Sequence, residues 1–133
     1  MTARKIIDTP KAPKAIGPYV QAVSASLSFY GQMLFVSGQV PLDPATGQLV
    51  PGGIEAQAEQ VFKNVLAVVE AAGGSAKNIV KNGIFLTDLS SFAKVNEIYA
   101  RFFGEFPPAR FCVQVSKLPK DALIEMDSVA ALG

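Results

Sequence analysis

The clearest pattern along the chain is an apolar stripe at helical spacing across residues 54–72. The stripe consists of Ile54, Ala58, Val61, Val65, Val68, Val69 and Ala72. This spacing predicts a helix whose apolar side packs into a core, and Gly73-Gly74 supplies its end. A second stripe predicts another helix, which ends before Pro107-Pro108 and which Asp88, Ser90 or Ser91 can cap. It consists of Phe92, Val95, Tyr99, Phe102 and Phe103.

Shorter apolar and alternating runs predict strands in the rest of the chain. These runs are residues 4–7, as a short edge strand, and residues 19–25, 33–39 and 79–87. Residues 26–31 are predicted as a turn or a strand extension, and residues 41–47 as a loop. Because residues 79–87 carry apolar side chains at both parities, we expect both faces of that strand to be covered.

The last extended segments, within residues 106–127, predict a terminal hairpin whose loop spans residues 117–120. In that register Cys112 lies opposite Glu125, and Arg110 lies opposite Asp127. All four side chains then share one face, and Arg110 is diagonal to Glu125. We interpret this face as an anion-binding pocket with a proton-handling carboxyl beside it. The alternative is an ion pair that only stabilises the hairpin.

The order of these elements predicts an α+β fold, with a mixed sheet and both helices on one face. A chain of 133 residues fits a single domain spanning residues 1–133. Half of the residues are apolar and the mean hydropathy is +0.30, which is rich for a small domain. We therefore expect other copies of the chain to cover the bare sheet face, giving an obligate homo-oligomer.

Composition excludes several kinds of function. The net charge is +1 and there is no block of Lys or Arg, so nucleic acid is not an indicated partner. A single cysteine excludes an intrachain disulfide and fits a cytoplasmic location. No signal peptide or run of about 20 apolar residues is present, so we expect no membrane partner.

The absence of histidine excludes the commonest hydrolytic triads and the usual zinc sites. Acid–base chemistry must then depend on Glu, Asp, Tyr, Lys, Cys, the backbone or water.

Five motifs follow one another along the chain. They are Ile16-Gly17-Pro18-Tyr19, Phe35-Val36-Ser37-Gly38-Gln39-Val40-Pro41, Val95-Asn96-Glu97-Ile98-Tyr99, Pro108-Ala109-Arg110-Phe111-Cys112-Val113 and Leu118-Pro119-Lys120-Asp121-Ala122-Leu123-Ile124-Glu125. In this order they resemble the Rid family of reactive intermediate deaminases, which hydrolyse 2-iminobutanoate and 2-iminopropanoate. Each motif alone is weak, but the five together cover nearly the whole chain and are specific.

The resemblance implies a chorismate-mutase-like homotrimer with active sites in clefts between subunits. The implied site consists of Tyr19, Ser37, Gly38, Asn96, Arg110, Cys112 and Glu125. Arg110 would bind the carboxylate of a small 2-imino acid through two parallel hydrogen bonds. Glu125 would position water or move a proton to the imine nitrogen. The products would be a 2-oxo acid and ammonia, with no metal or organic cofactor required.

The individual site residues also have ordinary structural interpretations. Tyr19 could be a buried aromatic residue, Ser37-Gly38 a strand end, and Asn96 an exposed polar residue of a helix. We expect Cys112 to line the pocket and not to act as a nucleophile, because a carboxylate opposite would raise its pKa.

Two features depart from the Rid pattern. The segment between Tyr19 and Ser37 is longer than is usual in the family, and Phe111 stands where a small hydroxyl residue is usual. Strand alternation turns Phe111 away from Arg110, which predicts altered packing and retained chemistry. Two other functions stay open: an endoribonuclease or translation inhibitor, and a non-catalytic trimer that binds small ligands or acts as a holdase.

Overall fold

The computed structural model describes residues 4–27 and 31–133 and contains a six-stranded mixed sheet with two helices. The strands are β1 (Arg4–Ile7), β2 (Ala22–Ser26), β3 (Gln32–Gln39), β4 (Ile79–Leu86), β5 (Ala109–Gln114) and β6 (Ile124–Leu132). The helices are α1 (Ile54–Ala71) and α2 (Phe92–Phe103). The strand order is β1-β2-β3-β6-β4-β5, with β4 and β5 parallel and the other neighbours antiparallel. The predicted α+β fold is confirmed.

Both helices pack on the same face of the sheet, which we call the helix face. The apolar stripe of α1 is buried there, with Val61, Val65 and Val68 fully inaccessible to solvent. Phe62 of α1 makes edge-to-face contacts with Tyr99 and Phe103 of α2, with ring centroids 5.5 Å apart in each pair. Burial of each such side chain stabilises the fold by about 1.5–3 kcal/mol. The core therefore lies between this helix pair and the sheet.

The ends of the helices follow the predicted signals. Gly73 has a φ of 92°, a conformation that favours glycine, and it follows α1 by two residues. Asp88 accepts a hydrogen bond from the Ser90 N–H at the short 3₁₀ turn before α2. Both predicted helices are confirmed: α1 ends one residue before its predicted end, and α2 spans its predicted stripe from Phe92 to Phe103.

The strand predictions are largely confirmed, and β2 is the main difference. It begins at Ala22 and not at Tyr19, because Pro18 has no N–H and the Tyr19 N–H bonds to the Gly17 carbonyl in a turn. The predicted turn at residues 26–31 includes residues 28–30, which lie outside the described residues.

The predicted terminal hairpin is wrong, because β4 lies between β5 and β6. After α2 the chain returns parallel to β4, as crossover connections do, and residues 115–123 then span about 10 Å to the far side of β4. Asn82 of β4 consequently separates Arg110 from Ser128 in the register. Cys112 does not lie opposite Glu125, and Arg110 does not lie opposite Asp127.

The other sheet face, which we call the bare face, carries exposed apolar side chains. Phe35 is 50% exposed, Val113 42% and Phe111 38%. Phe111 packs edge-to-face on Phe85 at 5.4 Å and points away from Arg110, as alternation predicts. At Gly83, the Phe111 ring and the Asp127 carboxylate lie where a Cβ would project. In the described ranges, no helix is long and apolar enough to cross a bilayer.

Candidate active site

The first group of candidate residues surrounds Arg110 on the helix face. Arg110 Nη1 donates to Asn96 Oδ1 at 2.7 Å. Its Cζ lies 4.8 Å from the ring centroid of Tyr99 and 5.5 Å from that of Phe92. These α2 residues are spaced i, i+4 and i+7, so a single face of the helix presents all three to the guanidinium. We call Phe92, Asn96, Tyr99, Arg110 and Cys112 the Arg110 cluster.

The guanidinium keeps most of its hydrogen-bonding capacity. It has five N–H donors, and Asn96 is its single acceptor among residues 4–27 and 31–133. The Phe92 and Tyr99 rings lie under the cation and accept no conventional hydrogen bond from it. A half-buried guanidinium with donors left unbonded can hold a carboxylate through two parallel hydrogen bonds.

Cys112 lies two residues from Arg110 on the same face of β5 and is half-buried. Burial raises the pKa of its thiol, and the positive charge of Arg110 opposes this only in part. The hairpin register predicted that a facing carboxylate would raise the pKa of Cys112, but the cause in the structure is burial. A neutral thiol is a poor nucleophile, and the expectation that Cys112 only lines the site stays a prediction.

The second group of candidate residues forms a cavity of about 300 Å³ that we call the Glu125 pocket. Its lining residues are Ile16, Tyr19, Ser37, Gly38, Val40, Pro119 and Glu125. A bulge shifts the register of β3 against β6 between Val36 and Gln39. A Cβ at Gly38 would overlap the Glu125 carboxylate, so glycine is what allows this carboxylate to lie against β3.

Glu125 is half-buried, and its carboxylate has no hydrogen-bond donor within the described part of the chain. Burial raises the pKa of Glu125, and the negative charge of Asp127 raises it further. A carboxyl with a raised pKa can accept and return a proton closer to neutral pH. The pocket therefore contains a group suited to acid–base chemistry.

Tyr19 and Ser37 complete the polar lining of this pocket. The Tyr19 hydroxyl accepts a hydrogen bond from the Ile16 N–H at 3.2 Å, and the side chain is 46% exposed. The alternative in which Tyr19 is a buried aromatic residue is therefore wrong. Ser37 Oγ donates to the Val20 carbonyl at 2.6 Å, so a ligand meets this hydroxyl as an acceptor. The Tyr19 hydroxyl keeps its proton available for a ligand.

Within one chain the two groups lie on opposite faces of the sheet. Glu125 alternates with the fully buried Ile124 and Met126, so it points to the bare face, whereas Arg110 contacts α2. Two strand spacings and three residues separate their Cα atoms, roughly 14 Å. The prediction of one shared face is wrong. Through β4, Arg110 is in register with Ser128 and not with Asp127, and this shift by one residue places Glu125 on the other face of the sheet. One small molecule cannot contact both groups of a single chain.

The sequence prediction missed several residues of both groups. Phe92 and Tyr99 stack on Arg110, although their stripe was assigned only to the core. Their spacing with Asn96 was the available signal. Ile16, Val40 and Pro119 line the Glu125 pocket, and nothing local in the sequence indicates that they meet.

The fold and these residues define a member of a known class of proteins. The family model described as Endoribonuclease L-PSP matches residues 9–132, and the chain belongs to this family. The resemblance to Rid proteins is thereby confirmed.

The chain is also similar to individual proteins along almost its full length. It is 49% identical over 128 residues to a RutC family protein of Pyrococcus abyssi, covering 96% of this chain and 97% of that protein. It is 45% identical over 130 residues to the 2-iminobutanoate/2-iminopropanoate deaminase of Mus musculus, covering 98% and 93%. The crystal structure of Escherichia coli TdcF with bound serine superposes with a TM-score of 0.86 at 45% identity, covering 97% and 99%.

Proposed function

We propose that this protein hydrolyses small reactive 2-imino acids, and the enamines that tautomerise to them, to 2-oxo acids and ammonia. The observation that carries the proposal is the contrast between a stacked guanidinium with free donors and a carboxyl with a raised pKa. The first suits a carboxylate and the second suits proton transfer. The mouse relative with the deaminase name supports the same reaction.

The substrate class follows from the two groups. A 2-imino acid carries a carboxylate next to a C=N bond, so an Arg110 that binds the carboxylate leaves the imine carbon available to water. The structure of TdcF contains serine, whose α-carboxylate is a group of the same kind. Ile16, Val40 and Pro119 give the Glu125 pocket an apolar side that suits a short aliphatic substituent.

The chemistry needs one proton carrier. Glu125, ionised, takes a proton from water as the water oxygen bonds to the carbon of the protonated imine, which gives a tetrahedral aminoalcohol. The protonated Glu125 then delivers the same proton to the nitrogen. Ammonia leaves as the C–N bond breaks, and the ionised Glu125 takes the hydroxyl proton and passes it to the ammonia. A 2-oxo acid and an ammonium ion result. A protonated imine is already electrophilic, so water needs little activation. One carboxyl that carries a proton is then enough.

The reaction requires two copies of the chain, since Arg110 and Glu125 lie on opposite faces. β5 is an edge strand, so the Arg110 cluster lies at the border of the sheet, where a neighbour can approach. The exposed apolar side chains of the bare face favour such a contact. A head-to-tail contact between the Arg110 cluster of one copy and the Glu125 pocket of the next closes a ring. We propose a homotrimer with three equivalent sites.

Subunit complementation tests both the roles and the assembly. Arg110→Ala and Glu125→Gln are each expected to lack turnover of 2-iminopropanoate, generated in a coupled assay by a serine dehydratase. When the two variants are unfolded, mixed equally and refolded, about a quarter of the sites regain both groups if each site spans two copies. Recovery of about a quarter of the wild-type activity supports the proposal.

Absence of recovery in refolded mixtures, with wild type refolding to full activity as the control, would reject the two-copy site. Two other outcomes would replace the proposed reaction. Binding of 2-oxobutanoate without ammonia release favours a ligand-binding protein. Salt-sensitive RNA cleavage that Arg110→Ala abolishes favours a ribonuclease, although a net charge of +1 gives little attraction for phosphates.

A further inference from the structure

We propose that Tyr99 is a positioning residue that fixes the orientation of the Arg110 guanidinium and is itself held by a buried polar chain. This inference rests on the proposed function, because it assigns Arg110 the role of carboxylate anchor. The chain runs from Ser128 through Asn82 to Tyr99 and ends at the cation.

The polar chain joins two neighbouring strands, β6 and β4, to Tyr99 of α2, which contacts Arg110 of β5. Arg110, Asn82 and Ser128 occupy paired positions on β5, β4 and β6. Ser128 Oγ donates to Asn82 Oδ1, and Asn82 Nδ2 donates to the Tyr99 hydroxyl at 3.0 Å. Asn82 is fully buried and Ser128 is 2% exposed, so these bonds are shielded from water. Shielding makes them strongly orienting, since no solvent partner can replace them.

The Tyr99 ring is also held by its aromatic neighbours. Its centroid lies 5.5 Å from that of Phe62 and 4.7 Å from that of Phe103. Phe62 and Phe103 therefore hold the body of the ring, and the bond from Asn82 holds its hydroxyl end. The guanidinium lies over this ring, with its Cζ 4.8 Å from the ring centroid.

A fixed Tyr99 ring affects substrate binding because it contacts Arg110, whereas an ordinary core residue affects only stability. Bidentate recognition of a carboxylate requires the plane of the guanidinium to be set before the ligand arrives. Asn96 fixes one donor of Arg110, and the ring of Tyr99 fixes the plane. Loss of the ring is therefore expected to weaken substrate binding more than it slows the chemical step.

The test compares two buried aromatic residues of the same cluster. Tyr99→Met removes the ring over Arg110, and Phe103→Met removes a neighbouring ring for which no contact with Arg110 is found in the described residues. Tyr99→Met is expected to raise KM for 2-iminopropanoate about tenfold with kcat within about threefold. Both substitutions remove a buried ring and are expected to lower Tm by similar amounts. Phe103→Met is expected to leave KM unchanged. Tyr99→Phe keeps the ring but loses the bond to Asn82, and should raise KM about twofold to threefold.

Equal KM values for Tyr99→Met and Phe103→Met would overturn the inference, as would a wild-type KM in Tyr99→Met. If Tyr99→Met does not fold, Tyr99→Phe decides, and a wild-type KM in that variant rejects the polar chain. If the wild-type protein shows no turnover, the proposed function fails, and calorimetric binding of 2-oxobutanoate replaces KM. About tenfold weaker binding to Tyr99→Met alone would then still support the positioning role, whereas equal binding or no wild-type binding would reject it.

Discussion

The Arg110 cluster and the Glu125 pocket give their charged groups opposite surroundings. The cation has an amide acceptor and two aromatic rings around it, which fix its position and favour its charge. The carboxyl is half-buried, has no donor within the described residues, and lies near a second carboxylate, so its charge is disfavoured. In the proposed mechanism the first group holds the substrate as a cation and the second exchanges a proton. The contrast would then let a chain without histidine position one part of a substrate and react with another.

The largest expected effect comes from removal of the cation. Arg110→Ala should lower kcat/KM by roughly 10²–10⁴-fold, because two hydrogen bonds to a charged carboxylate are lost. The fold should be retained, since Arg110 lies at an edge strand. Steady-state kinetics with the dehydratase-coupled assay measures the effect, and Arg101→Ala, an exposed arginine of α2, is the matched control. Wild-type kcat/KM in Arg110→Ala would remove the anchor from the mechanism.

A smaller effect should follow when the carboxyl is displaced and the cation is left intact. In Gly38→Ala the new Cβ would collide with the Glu125 carboxylate and push it from its place. We expect kcat to fall roughly 10–100-fold with little change in KM, because Arg110 is untouched. Gly53→Ala is the control, since Gly53 has a φ of −93° and a Cβ there would meet no atom of a non-neighbouring described residue within 4 Å. Unchanged kcat in Gly38→Ala would show that the position of this carboxyl is unimportant.

The smallest effect should appear in the pH profile. Asp127 raises the pKa of Glu125, so Asp127→Asn should lower that pKa. In the proposed mechanism ionised Glu125 is the base. The acidic limb of kcat/KM should therefore move to lower pH, while activity near neutral pH stays close to wild type. The exposed carboxylate of Asp121 gives the control variant Asp121→Asn. A limb that stays in place, or that moves to higher pH, would contradict the role of Glu125 as the base.

The sequence was sufficient for the helices and for most strands. Residues 54–72 and 92–103 have apolar stripes at a period that only a helix can bury on one side, and both helices form there. Strand alternation within β5 also held, since Phe111 and Arg110 point to opposite faces. These features depend on residues that are close in the chain, where local periodicity determines the outcome.

The order of the strands was not available from local patterns. β5 and β6 are consecutive strands, and a loop assigned to residues 117–120 between them predicted a hairpin. The missed signal was β4, whose apolar residues at both parities suit a strand in the interior of a sheet, with a neighbour on each side. Once β4 is inserted, Arg110 and Glu125 separate, although their residue types had indicated the same chemistry. The roles assigned to the site residues stay predictions until the complementation experiment.

The glycine at position 83 limits which residues can replace it and its neighbours at positions 111 and 127. Because the ring at 111 and the carboxylate at 127 fill the space above Gly83, the three positions share one fixed volume. A methyl group at 83 requires a smaller residue at 111, and a bulky residue at 111 requires glycine at 83. A side chain added at position 83 is therefore costly unless its neighbours become smaller or move in the same variant.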